Sequence, residues 1–272
     1  MALLHLESGL AKASSEWPCT AELETAARYV ASVRQAPSRA AKLRAITSRE
    51  GVPALAVLLR RLPVVPAPFS EDPSGQELRS WFRPDRRLPL DRAPVAVLAL
   101  PRSTAEYLSG RPRQALRTNI KRATDAGVDC ALVHDRHELG RAVAHLATRR
   151  GQSAAQMVSS QARAGLRREF HIAYDAAGDP LALGETIVDH TMAGVGVLVS
   201  ATDHPDGPNT RYLLHAHIVG GLIDRGVHTL TVGGSMLLTS AGTRYFQRRT
   251  GFIPARLRLL PRQHPPAVPA GS

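Results

Sequence analysis

Residues 194–252 constrain this chain more than any other stretch. An apolar run at 194–201 is followed by a polar loop at 203–209, a helical pattern at 210–224 and a short strand pattern at 228–232. Then come the pair Gly233-Gly234 and a helical segment that closes at Thr250-Gly251-Phe252. A strand, a helix and a second strand in this order make a parallel crossover, since a tight hairpin joins only antiparallel neighbours. The loop ahead of the crossover helix directs backbone N–H groups at whatever lies above the sheet, an arrangement that suits an anion.

The region upstream of the crossover reads as antiparallel. A basic helix at 112–126 stops at Gly127, where a helix C-cap belongs, and a strand follows at 128–134. Helices at 136–150 and 154–167 lead to a strand at 169–174. The turn Ala176-Ala177-Gly178-Asp179 joins it to another strand at 181–188 as a hairpin, and a second turn at 189–193 opens the crossover. The first hundred residues carry a helical stretch at 21–44, with Leu23, Ala26, Ala27, Val30 and Val33 at helical spacing. Strands are expected at 54–59 and 94–100. Six prolines between 63 and 91 predict an irregular segment, and four prolines in 261–272 predict a disordered tail. The expected division is therefore an N-terminal portion (1–100), a main domain (101–260) and a tail (261–272). A decayed first copy of the main domain within 1–100 is the alternative for the first part.

The 272 residues are 43% apolar, enough for one large core or two modest ones. The net charge of +12 is almost entirely arginine, because Lys12, Lys42 and Lys121 are the only lysines. That bias is as much the mark of a GC-rich bacterial genome as of a functional demand, although a basic surface favours anionic partners. Cys19 and Cys130 have neither disulfide nor zinc-finger spacing. His134/His137 and His215/His217 lack carboxylates at ligand spacing, and two residues on a helix separated by two positions point about 200° apart. No metal site is expected. No apolar run reaches the roughly 18–20 residues of a membrane span, so a cytoplasmic protein is expected. Nucleophile-elbow and Gly-Lys-Ser/Thr phosphate loops are absent from the sequence.

The order from 128 to 260, a strand, two helices, three antiparallel strands, a helix, a strand, a helix and a strand, resembles the GNAT acyltransferase fold. Within it the chain is similar to the Fem-type branch, through the basic helix Leu116-Arg117-Thr118-Asn119-Ile120-Lys121-Arg122-Ala123 ending at Gly127. The segments Tyr212-Leu213-Leu214, Asp224-Arg225-Gly226, Val232-Gly233-Gly234 and Phe246-Gln247-Arg248-Arg249-Thr250-Gly251-Phe252 carry the rest of the resemblance. It implies an α/β fold with a mixed, mostly antiparallel sheet flanked by helices. It also implies transfer of an acyl group from acyl-CoA, acetyl-CoA first, or of an aminoacyl group from aminoacyl-tRNA, to a small-molecule or peptide amine. Two departures stand out. Asp206-Gly207-Pro208-Asn209-Thr210-Arg211 occupies the place of the family's glycine-rich pyrophosphate loop. Gln247 stands where many members carry the tyrosine that protonates the leaving thiolate, with Tyr245 displaced by two. Both departures also fit a catalytically inactive module that binds RNA or a protein.

Direct aminolysis needs a base, donors for the oxyanion and an acid for the leaving group. Glu185 is the candidate base, because a carboxylate taken out of water in mid-strand becomes a stronger one. A solvent-facing strand glutamate is the alternative. Backbone N–H groups near Ser200 are the candidate oxyanion donors, and Tyr245 the candidate acid. Asp206, Gly207, Asn209, Thr210 and Arg211 would hold the donor's phosphate, with Asn209 or Thr210 capping the helix. Gly233, Gly234 and Ser235 would let an acyl chain or pantetheine approach closely. Arg113, Arg117 and Lys121, spaced i, i+4, i+8, make a row of cations suited to a phosphate backbone or diphosphate; such a stripe is more often a solvated helix face, which is the alternative.

Overall fold

The computed structural model describes residues 20–82, 94–158, 165–233 and 236–260. The expected tail at 261–272 and the candidates Gly234 and Ser235 lie outside the described residues. The N-terminal portion begins with helices α1 (Thr20–Gln35), α2 (Arg39–Ile46) and α3 (Gly51–Ala56), the last running into a π turn at Val57–Arg61. Strand β1 (Val64–Ala67), helix α4 (Pro73–Phe82) and strand β2 (Val95–Ala99) complete it. The chain continues through α5 (Thr104–Tyr107), α6 (Gln114–Asp125), β3 (Asp129–Val133), α7 (Arg136–Arg150) and α8 (Ala154–Met157). It ends with β4 (Arg168–Tyr174), β5 (Pro180–Asp189), β6 (Met192–Ser200), α9 (Gly207–Asp224), β7 (Thr229–Val232), α10 (Ala241–Thr250) and β8 (Ile253–Leu259).

All eight strands form one sheet in the order β1-β8-β2-β7-β6-β5-β4-β3. Neighbours from β3 to β6 are antiparallel, whereas β6 and β7 pair in parallel with α9 crossing between them. This is the mixed, mostly antiparallel sheet expected from the sequence. Residues 54–59 are helical rather than a strand. The buried Ala54, Val57, Leu58 and Leu62 recur at helical spacing, a pattern that a short apolar run hides. The segment expected to be irregular holds β1 and α4. Pro73 takes the first helical position of α4, where the missing N–H costs nothing, and Pro66 lies on an edge strand of the sheet. The helix expected at 21–44 is split at Pro37, after which Ser38 Oγ accepts from the Ala41 N–H and starts α2. Helix α8 covers the beginning of the 154–167 pattern, of which 159–164 lie outside the described residues. The turn expected at 189–193 is tighter, leaving only His190 and Thr191 between β5 and β6, with His190 at φ 48°.

β2 is inserted between β7 and β8, antiparallel to both. Strands from the first hundred residues therefore share one sheet with those from the rest of the chain. Apolar residues alternate between the faces of β5. Ala182 and Val188 pack with Leu214, Ile218 and Leu222 of α9, while Leu183 packs with Leu146 of α7 and Ile187 with Leu78 and Phe82 of α4. Both faces are thus covered by helices, which makes near-continuous burial along β5 the expected pattern. A separate small core of Ala26, Val30, Val33, Val57 and Leu58 joins α1 to α3, with Leu237 reaching it from the segment after β7. No described helix is long and apolar enough to cross a membrane.

Candidate active site

The sheet opens where β6 outlasts β7. Parallel pairing runs from Met192↔Thr229 to Val195↔Val232 and stops, while β6 continues to Ser200. The register between β5 and β6 shifts at Glu185/Thr186, so that Gly196 is the extra residue of a bulge directly beyond the last parallel pair. The Ala201 N–H bonds the Leu181 carbonyl across to β5 at 2.8 Å. Alternation along an antiparallel pair then turns the N–H and C=O of Ser200 to the opposite edge, the one β7 has left. Arg150 Nη1 donates to that Ser200 carbonyl at 2.6 Å. The candidate oxyanion donor therefore faces the opening with its N–H.

Glu185 is fully buried on the face shared with Leu183 and Ile187. Its Oε1 lies 3.0 Å from Arg168 Nε, and the Arg168 side chain is itself only 13% exposed. Because helices cover this face, Glu185 is not a solvent-facing strand residue. Phe170 is the cross-strand partner of Glu185 and Ile187 that of Arg168, so the arginine reaches the carboxylate along a diagonal on one face. A carboxylate buried without a partner would be strongly unfavourable, and the guanidinium supplies the compensating charge.

Trp81, at the end of α4, is a residue of the candidate site that the sequence reading missed. A Cβ placed on Gly194 would collide with Leu78 and lie 2.6 Å from the indole; on Gly233 it would lie 3.3 Å from the ring, and on Gly196 3.4 Å. The indole thus lies on bare backbone of two adjacent strands at the point where their pairing ends. From the Gly196 position the Glu185 carboxyl carbon is 3.6 Å away, so ring edge and carboxylate flank the same glycine. Gly233 was expected to admit a ligand; its missing side chain instead accommodates Trp81. The glycines were visible in the sequence, but their common neighbour lies more than a hundred residues before the Gly194–Gly196 pair.

The loop candidates sit where α9 begins. The helix starts at Gly207, earlier than expected, and Asp206 precedes it without a side-chain capping bond. Thr210 is buried and bonds back to the Asp206 carbonyl through both its N–H and its hydroxyl, at 2.8 Å each. Neither Asn209 nor Thr210 is the cap, since both are inside the first turn. A Cβ on Gly207 would run into the Ala201 carbonyl, so the glycine lets α9 start hard against the end of β6. Arg211 is half-buried with its guanidinium 4.1 Å from the Phe246 ring centre, and burial, with Arg150 nearby, lowers its pKa. It is held on α10 rather than extended from the loop.

The three cations expected to form a row do not act as one. Arg113 lies over the Tyr107 ring at 5.3 Å and packs against Gly251, in the space a side chain there would take. Arg117 donates to the carbonyls of Leu108 and Gly110 at 2.5 and 2.9 Å. Lys121 pairs with Asp125 at 2.8 Å within α6. Tyr245 is 54% exposed on α10 beneath Arg249, while Glu185 is fully buried. Gln247, at the family's tyrosine position, is buried and its Oε1 has no hydrogen-bond partner among the described residues. His215 and His217 do face apart: His215 lies among Tyr107, Phe246 and Phe252, and His217 against His171. Among the described residues, Asp72, Asp189 and His190 bring ligand atoms within 4.8 Å of one another. Both Asp189 oxygens accept from Ser70, one from its N–H and one from its hydroxyl, which ties the segment ahead of α4 to the β5–β6 turn.

No family model and no curated protein matches the chain. Solved structures similar to it include FemX, at 10% identity over 60% of this chain and 59% of that one with a TM-score of 0.45. The C-terminal domain of a protein described as a lysylphosphatidylglycerol synthetase from Agrobacterium fabrum matches at 14% identity, covering 60% and 58%, with a TM-score of 0.44. A GCN5-related N-acetyltransferase from Kribbella flavida matches at 16% identity, covering 60% and 54%, with a TM-score of 0.36. The chain spans less than two thirds of the length of these structures. With TM-scores below 0.5 these likenesses carry no weight of their own, and the GNAT-like reading of the fold rests on the strand order, the parallel pair and its crossover helix.

Proposed function

We propose that the chain is an N-acyltransferase that moves an acyl group from acyl-CoA to an amine by direct attack at the opening between β6 and β7, with residues 101–260 carrying the chemistry. The observation that carries this reading is the conjunction at that opening. A bulge at Gly196 and a buried carboxylate beside it lie at the end of one parallel pair, and the unpaired edge of β6 runs on from there to Ser200, whose N–H is turned outward. The residues fit a thioester donor. The edge peptides of β6 can receive an extended amide chain such as pantetheine. The start of α9 lies against the end of the same strand, where a helix N-terminus favours a phosphate.

In the proposed reaction the acceptor ammonium first gives a proton toward Glu185 through a chain of waters along the β6 edge. The free amine attacks the thioester carbon, and the C–N bond forms while the carbonyl electrons move to oxygen, where the Ser200 N–H stabilises them. Collapse breaks the C–S bond, and the thiolate leaves with its electron pair and takes the second proton from nitrogen. The test is calorimetric titration with acetyl-CoA, repeated with a charged-tRNA mixture at two salt concentrations. Saturable acetyl-CoA binding with a shallow salt dependence, together with acyl transfer to an amine panel, is the expected result. Silence with acetyl-CoA and salt-steep tRNA binding would overturn it.

A further inference from the structure

We infer that the corner between α2 and α3, with the groove beside it, is a docking surface for an anionic lipid bilayer, independently of the acyl-CoA reading above. Leu43 and Val52 are 62% and 61% exposed, the most of any large apolar side chain among the described residues. Leu43 stands on the last turn of α2 and Val52 on the first turn of α3. The corner between them is rigid. The Gly51 N–H donates to the carbonyl and hydroxyl oxygens of Ser48 at 3.0 and 2.9 Å, and the Val52 N–H donates to the same carbonyl at 3.3 Å. A Cβ on Gly51 would lie 2.4 Å from the Ala45 carbonyl oxygen, so α3 starts hard against the end of α2. Val52, Pro53 and Ala56 are all exposed, at positions i, i+1 and i+4 on one side of α3. Beside them opens a groove of about 520 Å³, lined by Ala21 and Thr25 of α1 and by Pro53, Ala56, Val57 and Arg60.

The charge along this apolar surface is mostly of one sign. Residues 39–61 carry Arg39, Lys42, Arg44, Arg49, Arg60 and Arg61 against the single acid Glu50. Arg44, Arg49 and Arg60 are exposed, and none of them has a carboxylate partner among the described residues. Arg61 and Glu22, both lining the groove, pair with each other. Exposed aliphatic side chains flanked by cations suit a bilayer surface, where phosphate headgroups take the arginines and the acyl boundary takes Leu43 and Val52. Residues 36–63 contain no tryptophan, tyrosine or phenylalanine, so the stacking platforms that single-stranded RNA uses are missing from this surface.

The test is co-sedimentation of the full chain with vesicles of phosphatidylcholine containing about 30% phosphatidylserine, with pure phosphatidylcholine as the neutral comparison. Expected are binding to the anionic vesicles alone and a steep weakening with salt. Arg44→Ser with Arg49→Ser should weaken the partition about 20- to 30-fold, at about five-fold per arginine. Leu43→Ser with Val52→Ser should weaken it at least ~10-fold with the net charge unchanged. Arg122→Ser with Arg136→Ser removes the same charge from exposed positions on α6 and α7, and should change it less than ~3-fold. Circular dichroism checks the fold of each variant, and Val52→Asp alone serves where a double variant does not fold. Absence of binding to anionic vesicles would overturn the inference, as would equal losses in the two arginine pairs. Binding that ignores Leu43→Ser with Val52→Ser would overturn it too, because charge alone then suffices. So would a dimer in sedimentation equilibrium that Val52→Asp converts to monomer, since the surface would then belong to a second copy of the chain. None of these outcomes bears on the acyl-CoA reading, which stands or falls by the acetyl-CoA titration.

Discussion

The pH dependence of folding should carry the signature of one residue, His215. Its side chain is fully buried in α9, with ring centres of Phe252, Phe246 and Tyr107 at 5.5, 5.6 and 6.4 Å. Neither ring nitrogen has a hydrogen-bond partner among the described residues. Burial, and then the charges of Arg211 and Arg113, push its pKa from 6.5 down to about 3. The unfolded chain therefore binds a proton at this residue before the folded one does. Stability is fully present above about pH 6.5 and falls as the pH drops toward 3. Between pH 7 and pH 5 the linkage amounts to about 2 kcal/mol, on a slope approaching 1.4 kcal/mol per unit. His217 is also pushed down, by burial and by His171, and adds a slope of the same sign. The measurement is therefore a difference: urea unfolding of the native chain and of His215→Leu, each at pH 7 and pH 5. The variant should lose about 2 kcal/mol less than the native chain over that interval. The comparison at pH 7 is less informative. Relief of two unpaired nitrogens, about 1–3 kcal/mol, opposes the loss of ring contacts worth about 0.5–1.5 kcal/mol each. Parallel pH dependences in the two proteins would show that His215 is not held neutral in the fold.

Three further outcomes follow from the geometry of the opening. Gly194→Ala should cost about 1–3 kcal/mol in urea unfolding, since its Cβ collides with Leu78 and Trp81. Gly196→Ala, where the contacts are 3.4–3.6 Å, should cost much less, and equal effects would refute the glycine bed. Ser200→Pro removes one N–H that β5 does not use; steady-state kinetics should show kcat reduced ~10²- to 10³-fold with acetyl-CoA binding retained. Glu185→Gln preserves shape but not basicity, and should lower kcat ~10²- to 10⁴-fold with an unchanged circular dichroism spectrum. An unaltered kcat would assign Glu185 a purely structural role beside Arg168.

Much of the frame was legible from local pattern. Helix α7 matched its expected bounds of 136–150, because Asp135 caps its start by accepting from the His137 N–H and Gly151 ends it. The hairpin between β4 and β5 was legible from its turn residues, and the crossover from the order of its three elements. Errors fell where one residue pattern serves two structures. The run at 54–59 is short and apolar throughout, and whether it pairs as a strand or packs as a helix depends on α1 lying beside it. The prolines at 66 and 73 read as breaks, yet each occupies a position where a missing N–H is harmless. Among the residues of the candidate site, Glu185 could be picked out by its apolar surroundings. Arg168 was within reach of the hairpin register, through the diagonal from Phe170 and Glu185. Arg113, Arg117 and Lys121 share helical spacing, but spacing is silent about the ring, carbonyls and carboxylate that each one finds.

The sequence by itself determined the elements whose cause is local: caps, turns, the alternation along β5 and the strand–helix–strand order that forces a parallel pair. Only the tertiary structure decided the candidate site. The insertion of β2 between β7 and β8, the early end of β7 beside β6 and the seating of Trp81 on three glycines all join segments far apart in the chain. The physical reason is that a missing side chain carries no information until its neighbour is placed. A glycine that admits a ligand and a glycine that admits an indole are identical in sequence, and packing alone distinguishes them.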